Sequence, residues 1–256
     1  DPDILNRILP RSAWRNAVDC ALWDLKAKRE GRRIWEILGL NLSGSDGFPV
    51  YETIAIDSPE RMADCARHAK GAPGLKLKLG SQDGLDFARL EAVRAAAPAA
   101  EITIDANEGW SIRQLKEFLP IAVRHDVKLI EQPVPAAIQS GLSSLPRLVP
   151  LCADESCLDR SSLPRLSGLY DMVNIKLDKT GGLTEALLLQ REARRQGFRT
   201  MVGCNGGSSL AQAPAVLLAP YSDLIDLGGD FQAKDHAPAL EMTGYRIGLP
   251  KAELWG

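Results

Sequence analysis

Eight short runs of mostly apolar, often β-branched residues recur along the chain, and their first residues lie 21 to 28 positions apart. Runs of this kind are typical of buried strands, and their alternation with helix-like stretches is typical of a parallel sheet. The count of eight favours a (β/α)8 barrel, and a doubly wound open sheet is the alternative with the same local pattern. The runs are Tyr51–Ile56, Leu75–Leu79, Glu101–Asp105, Lys128–Glu131, Leu151–Asp154, Met172–Leu177, Thr200–Gly203 and Leu224–Gly228.

Amphipathic stretches before and between these runs predict helices over Ser12–Arg29, Leu85–Ala97, Ile112–His125 and Thr184–Gln196. Thr184 is the expected N-cap of the last one, because its hydroxyl can accept a hydrogen bond from the first turn. We expect three parts along the chain: leading helices over 1–48, a catalytic barrel over 49–232 and a C-terminal tail over 233–256.

The composition excludes several classes of protein. Lys and Arg total 31 against 33 Asp and Glu, so the formal net charge is −2, and no basic block suggests a nucleic-acid partner. No apolar run reaches the roughly 18 residues of a membrane span. Five cysteines, an odd number in a chain of this length, indicate reduced thiols and a cytoplasmic protein. A small molecule is therefore the expected partner.

Three consecutive predicted strands each end in a carboxylate, at Asp105, Glu131 and Asp154. Barrel enzymes carry their chemistry at the carboxyl ends of their strands, and neighbouring strands lie roughly 4.8 Å apart. Three carboxylates so close would repel one another unless a cation lay among them, and hard oxygen ligands suit Mg²⁺. The alternative is that each acid caps a helix or pairs with a lysine.

Lysines at the ends of the second and sixth predicted strands form another pattern. Those two strands are opposite in a closed eight-stranded barrel, so Lys78 and Lys176 would face each other across its mouth. Lys76 shares a face with Lys78, and its positive charge favours the neutral, basic form of that neighbour. A lysine inside an apolar run such as the one ending at Lys176 needs a partner, which argues against simple solvation.

The seventh and eighth predicted strands end in glycine-rich segments that suit either an anion, as in many phosphate-binding barrels, or the close approach of any small substrate. Cys204 and Asn205 in the first segment, and Asp226 and Asp230 in the second, are the candidate substrate-binding residues. The segment 179–182, Lys-Thr-Gly-Gly, lacks the spacing of a phosphate-binding P-loop.

The motifs LKLKLG, TIDANEGW, EQPVP, CADESC and MVNIKLDKTGGLTEAL, together with the earlier NAVDCALWDLKAK, resemble the enolase superfamily. More narrowly they resemble its muconate-lactonizing subgroup and, within it, the dipeptide epimerases of the L-Ala-D/L-Glu type. The resemblance extends from Arg11 to about Leu227. It implies a modified (β/α)7β barrel and a Mg²⁺-dependent isomerase.

The resemblance also implies a role for each strand-end residue. Asp105, Glu131 and Asp154 correspond to the Mg²⁺ ligands. Lys78 and Lys176 correspond to the two acid/base groups, and Lys76 to a supporting lysine. The implied reaction is a 1,1-proton transfer between two lysines through an enediolate, which inverts the carbon α to a carboxylate.

One position departs from the pattern of the dipeptide epimerases. They usually carry Asp-x-Asp at the end of the eighth strand, for the substrate's ammonium, whereas this chain has Asp226-Leu227-Gly228. Asp226, alone or with Asp230, is the expected ammonium partner. An N-acylamino-acid racemase, whose substrate has no ammonium, needs no second aspartate and is one alternative. An o-succinylbenzoate synthase, a muconate-type cycloisomerase and a non-catalytic remnant barrel also stay open.

Members of this family carry an α+β capping domain ahead of the barrel. We expect that domain to be absent from this chain, which begins at what resembles the last helix between cap and barrel. The tail over 233–256 would normally return to the cap. We therefore expect the 256-residue segment alone to be a poor catalyst. A homo-oligomer is the assembly that we expect.

Overall fold

A computed structural model describes residues 4–5, 8–228 and 239–256. Ten strands lie within these residues: eight belong to one sheet, and two form a small antiparallel pair. The strands are β1 (Phe48–Pro49), β2 (Glu52–Ile54), β3 (Leu75–Lys78), β4 (Ile102–Asp105), β5 (Val127–Glu131), β6 (Leu151–Ala153), β7 (Met172–Ile175), β8 (Arg199–Gly203), β9 (Leu224–Asp226) and β10 (Arg246–Ile247).

All eight predicted runs form strands, β2 to β9, and each end lies within two residues of the expected one. Their order in the sheet follows the chain from β2 to β9 without a reversal. The pairings from β2 through β7, and that of β8 with β9, are parallel. A doubly wound sheet would reverse direction at a switch point, so this order confirms the barrel-type topology over the alternative.

Nine α-helices have both ends within the described residues, and each of the seven connections from β2 to β9 contains a helical segment, as a (β/α)7β arrangement requires. Two connections include longer 3₁₀ segments, Ala136–Ser144 and Ala213–Tyr221. The α-helices are α1 (Ala13–Glu30), α2 (Ile34–Ile37), α3 (Pro59–His68), α4 (Asp86–Ala96), α5 (Ile112–Arg124), α6 (Leu163–Leu166), α7 (Leu177–Thr180), α8 (Leu183–Arg195) and α9 (Ser209–Gln212).

Serine caps begin several of these helices. Ser12 accepts a hydrogen bond from Arg15 N at the start of α1, and Ser111 forms a capping box with Gln114 at the start of α5. The expected cap at Thr184 is wrong: α8 begins at Leu183, and Gly182 is its N-cap. The Thr184 hydroxyl makes a long-range contact instead, which local sequence rules do not register.

The described residues form two compact units. One comprises Tyr51–Cys157 and Ser162–Val173; the other comprises the described parts of Asp1–Val50 and Asn174–Gly256, with Leu158–Ser161. The three-part division at 48/49 and 232/233 stays a prediction. None of the described helices is both long and apolar enough to span a membrane.

Candidate active site

Strand register brings the first acidic residues together. Across β3, β4 and β5, Lys78 lies opposite Asp105, and Asp105 lies opposite Glu131. Asp154 follows the end of β6, whose Cys152 pairs with Glu131. Parallel strands place their carboxyl ends at one edge, so these side chains meet there because of the register and not because of any local motif.

The three predicted metal ligands form one buried cluster. Each of Asp105, Glu131 and Asp154 offers a carboxylate oxygen, and the three oxygens all lie within 4.8 Å of one another. All three residues are at most 1% exposed. Three buried carboxylates at this spacing repel strongly, and their hard oxygen atoms form a donor set suited to a divalent cation such as Mg²⁺.

Two lysines on β3 contact this cluster from the same face of the strand, as alternation predicts. Lys76 is almost completely buried, with its Nζ 2.7 Å from Glu131 Oε2 and 3.2 Å from Asp105 Oδ2. Lys78 Nζ lies 2.6 Å from Asp105 Oδ2 and donates to Asn107 Oδ1 at 3.1 Å. About a third of the Lys78 side chain is exposed, so it can meet a substrate.

The charges of the cluster change the acidity of its members. Burial works against ionisation of Asp105, but Lys76, Lys78 and a backbone hydrogen bond from Asn107 outweigh it, so the pKa of Asp105 is lowered. Burial, together with the neighbouring charge of Asp154, raises the pKa of Glu155. The site therefore keeps Asp105 ionised.

Lys176 follows β7, and only 8% of its surface is exposed. Its backbone is extended, and its carbonyl accepts hydrogen bonds from Lys179 N and Thr180 N, both at 3.0 Å, at the start of α7. The lysine in the apolar run is therefore buried, as its sequence context suggested. It lies at a strand end, where barrel enzymes place their functional groups.

Gln132 is a site residue that sequence reasoning missed. It is fully buried, and its Oε1 accepts hydrogen bonds from Asp154 N at 2.8 Å and Ser156 N at 3.1 Å. Its Nε2 donates to Val134 O, Ser156 Oγ and the Tyr170 hydroxyl. This amide therefore fixes the backbone that carries one predicted metal ligand. The EQP motif was the available signal in the sequence, but it does not show which groups the glutamine side chain hydrogen-bonds.

Strained backbone marks the same strand ends. Gln132, Asn107 and Glu108 are three of the four described non-glycine residues with positive φ, at 33°, 42° and 63°. Such conformations are uncommon and persist where the surroundings enforce them. Asn107, which also donates to Glu155 Oε1, was likewise missed as a contact of Lys78.

Replacing Gln132 with leucine is expected to weaken metal binding by about 10- to 100-fold, because a residue that orients a ligand is lost. The buried N–H groups of Asp154 and Ser156 would also lose their acceptor, at about 1–3 kcal/mol each. Calorimetric titration with Mg²⁺ and chemical denaturation measure the two effects. Gln139→Leu is the matched glutamine control, and equal Mg²⁺ affinity in the two variants would contradict the assignment.

The predicted substrate-binding residues lie on and after β8 and β9. Cys204 is half-buried, its Sγ lies 4.0 Å from Asp226 O, and Asn205 is exposed. Asp226 ends β9 and pairs in register with Gly203. Asp230 lies outside the described residues.

Gly228 stands at the departure from the family motif and has a positive φ of 101°. Its N–H donates to Gln212 Oε1 at 2.9 Å. L-residues with a side chain rarely adopt that conformation, so this backbone does not accommodate an aspartate without strain. The glycine that replaces the second aspartate of Asp-x-Asp therefore matches the local backbone conformation.

Two family models match the chain. One, described as "Enolase C-terminal domain-like", matches residues 60–243, and the other, "Mandelate racemase / muconate lactonizing enzyme, N-terminal domain", matches residues 5–39. A relative from Pseudoalteromonas sp, an N-acetyl-D-glutamate racemase, is 45% identical over 97% of this chain and 78% of its own length. The L-Ala-D/L-Glu epimerase of Escherichia coli (strain K12) is 42% identical over 93% of this chain and 74% of its own.

Solved structures of an enolase family member and of a dipeptide epimerase are also similar to this chain. An enolase family member from Agrobacterium tumefaciens, with bound sodium and L-Ala-L-Glu, is 45% identical, has a TM-score of 0.93 and matches 100% of this chain and 78% of its own. A dipeptide epimerase from Cytophaga hutchinsonii, complexed with Mg and D-Ala-L-Val, is 28% identical, with a TM-score of 0.85 over 92% of this chain and 67% of its own.

Proposed function

The chain belongs to the enolase superfamily, in the mandelate racemase and muconate lactonizing group, and on that premise we propose that it inverts the carbon α to the carboxylate of a dipeptide such as L-Ala-D/L-Glu. It is a Mg²⁺-dependent isomerase. The observation that carries the proposal is the buried cluster of Asp105, Glu131 and Asp154, with Lys76 and Lys78 in contact with it.

The cluster fits the metal that the family implies. Three carboxylate oxygens within 4.8 Å are the donors that Mg²⁺ prefers, and they leave coordination positions for water or substrate. When bound, Mg²⁺ stabilises the negative charge that develops on the substrate carboxylate as the α-proton leaves. Lys76 contacts Asp105 and Glu131, and its positive charge limits the repulsion within the cluster.

The two remaining lysines carry the proton transfers in this proposal. Lys78 and Lys176 act on opposite faces of the α-carbon: one removes the proton as a neutral amine, and the other returns a proton as an ammonium. Asp105 and Asn107 hold the Lys78 ammonium group by direct contacts. Two bases on two faces suit inversion, whereas a lyase or cycloisomerase needs only one.

The names of the two relatives share one chemical feature. L-Ala-D/L-Glu and N-acetyl-D-glutamate both contain a glutamate whose nitrogen is acylated. They differ in the acyl group, which carries an ammonium only in the dipeptide. We therefore propose an N-acylated glutamate as the substrate class and Asp226 as the partner of the dipeptide ammonium.

A second candidate, racemisation of an N-acylamino acid, is favoured by Gly228. The usual second aspartate is missing there, and the positive φ disfavours a side chain at that position. A substrate without an ammonium has no need of that carboxylate. The 45% identity to an N-acetyl-D-glutamate racemase agrees with this alternative.

Exchange of the α-proton in D₂O, followed by mass spectrometry and chiral separation, tests the function. The substrates are L-Ala-L-Glu, L-Ala-D-Glu, both enantiomers of N-acetylglutamate and dipeptides without glutamate, each with Mg²⁺ and with EDTA. We expect Mg²⁺-dependent deuterium uptake with inversion. Metal binding without exchange on any substrate would indicate a cycloisomerase or o-succinylbenzoate synthase. The absence of both metal binding and α-proton exchange would indicate a non-catalytic barrel.

Asp226→Ala separates the two substrate classes in the same assay. With the dipeptide as substrate we expect KM to rise about tenfold, because an ion pair with the ammonium is lost, while KM for N-acetylglutamate stays within twofold. Asp223→Ala, which removes a surface carboxylate from the same chain segment, is the control. An unchanged KM for the dipeptide would exclude Asp226 as the ammonium partner.

A small-molecule substrate is the partner that the family supports. Location in the cytoplasm is proposed from the five cysteines, none of which is in a disulfide among the described residues. Assembly into a homo-oligomer stays a prediction.

A further inference from the structure

Helix α1 buries a stripe of four residues, and two of them are charged. Arg15, Asp19, Trp23 and Ala27 recur every four residues, so they share one face of the helix. Arg15 is 6% exposed and Asp19 is 2% exposed. Burying a charge is unfavourable unless it is paired and hydrogen-bonded, so the contacts of this face need a structural reason.

Arg15 binds the segment that follows α7. Its Nη2 donates to Thr180 O at 2.5 Å, and its Nε donates to Gly181 O at 3.0 Å. The last carbonyls of a helix receive no hydrogen bond from within that helix, and Arg15 donates to two carbonyls at the end of α7. The rigid fork of a guanidinium suits two neighbouring carbonyl oxygens.

Asp19 binds the start of the next helix, α8. Its Oδ2 accepts a hydrogen bond from Thr184 N at 2.9 Å, and its Oδ1 accepts from Thr184 Oγ1 at 2.6 Å. Trp23 Nε1 donates to the same threonine oxygen at 2.9 Å. This arrangement explains why Thr184 does not serve as a helix cap.

Two glycines let α1 approach this closely. A Cβ on Gly181 would lie 2.7 Å from the Arg15 guanidinium, and one on Gly182 would lie 2.6 Å from the Asp19 carboxylate. Both glycines also have positive φ, at 75° and 134°. The Lys-Thr-Gly-Gly segment at 179–182 is therefore a docking point for two buried charges.

The docked segment leads directly to Lys176. Thr180 N donates to the Lys176 carbonyl at 3.0 Å, and the Thr180 carbonyl is the one that Arg15 Nη2 holds. Thr180 is fully buried, and its hydroxyl is within hydrogen-bond distance of Leu177 O and Gly182 O. Movement of the segment would therefore displace the backbone of Lys176.

We propose that Arg15 and Asp19 are positioning residues for Lys176 and not for Lys78. They hold the α7–α8 junction, and the junction keeps Lys176 in place for proton transfer. The proposal rests on the proposed two-lysine function. In this proposal neither Arg15 nor Asp19 contacts the substrate, and both act through the backbone at 177–184.

Lys78 has an anchor of its own, which provides a matched comparison. Asp86 in α4 is 8% exposed and accepts hydrogen bonds from Gly80 N at 2.9 Å and Trp110 Nε1 at 2.8 Å. Gly80 lies two residues after Lys78. A buried aspartate thus accepts a hydrogen bond from the backbone that follows each lysine, Asp86 from Gly80 N and Asp19 from Thr184 N. Weakening either contact should affect only the lysine that precedes it.

The experiment measures exchange separately in each epimer of the substrate. A lysine that removes the α-proton can return a solvent deuteron to the same face, so exchange without inversion reports that lysine alone. Lys176→Ala first identifies the epimer that still exchanges through Lys78. In Arg15→Lys and Asp19→Asn, we expect inversion to fall about 10- to 100-fold while exchange in that same epimer persists.

Two further variants complete the design. Asp86→Asn should shift the ratio of the two exchange rates in the opposite direction, toward the epimer that exchanges through Lys176. Arg33→Lys, which also removes a guanidinium that holds backbone carbonyls (those of Pro250 and Gly256), should leave the ratio of the two exchange rates unchanged. Both exchange rates are measured with the same protein preparation and scale with its folded fraction, so their ratio can be compared even for a variant that is partly unfolded.

The outcomes separate this proposal from the proposed function. Wild-type protein without exchange in either epimer would overturn the two-lysine function itself. Normal behaviour of the wild type and of Lys176→Ala, with both epimers slowed equally in Arg15→Lys and Asp19→Asn, would overturn only the positioning role. A shift of the ratio toward the epimer that Lys176→Ala leaves active supports it.

Discussion

Alanine in place of Lys176 is expected to lower the rate of epimerisation by about 10²- to 10⁴-fold, the usual contribution of a positioned acid or base. Inversion needs both lysines, so both reaction directions should fall together. Exchange of the α-proton should nevertheless continue in one epimer, because Lys78 still faces its proton. Chiral separation followed by mass spectrometry in D₂O measures inversion and exchange in the same sample.

The reciprocal variant makes this prediction specific. Lys78→Ala should lose inversion to a similar extent but retain exchange in the other epimer. Lys128→Ala, which removes an exposed lysine paired with Asp126, is the control and should match the wild type. Exchange that survives in the same epimer in both variants would show that the two lysines do not act on opposite faces.

Removing one metal ligand is expected to have an effect of similar size. In Asp154→Asn we expect turnover to fall about 10³-fold, because a bound metal contributes several kcal/mol to stabilising the developing charge. The same variant should lose its thermal response to Mg²⁺. For the wild type, a metal concentration of 100 times Kd adds about 2.7 kcal/mol and raises Tm by roughly 5–10 °C.

Glu155→Gln is the matched control for this experiment. It removes the next carboxylate along the chain, which accepts a hydrogen bond from Asn107 but lies outside the cluster of three. We expect it to keep the Mg²⁺-dependent rise in Tm. An Asp154→Asn protein that still melts at a higher temperature with Mg²⁺, by the same number of degrees as the control, would exclude Asp154 as a ligand.

The strands and the acidic residues at their ends could be predicted from the sequence. The eight runs became β2 to β9, and Asp105, Glu131 and Asp154 meet as expected. Burial on both faces of a parallel strand leaves a continuous apolar run, and a strand end places the next polar residue at the active edge. Both are local properties, so a linear pattern carries them.

The supporting contacts could not be predicted in this way. Gln132 binds Asp154 N and Ser156 N across 22 and 24 positions, and Asp19 binds Thr184 across 165. Thr184 has the hydroxyl that a helix cap needs, yet this hydroxyl is engaged by Asp19 and Trp23. Partners so distant in the chain leave no periodic trace.

The class of fold and the acidic cluster were predictable from the sequence, because strand periodicity and strand-end residue types follow from local burial. The chemical family was predictable only through the resemblance of its motifs to the enolase superfamily. The contacts of Arg15, Asp19 and Gln132 depend on the folded chain, since a buried polar group takes whichever partner the packing brings within hydrogen-bond distance. The same reason explains Gly228: its positive φ, and its bond to Gln212, belong to the folded backbone.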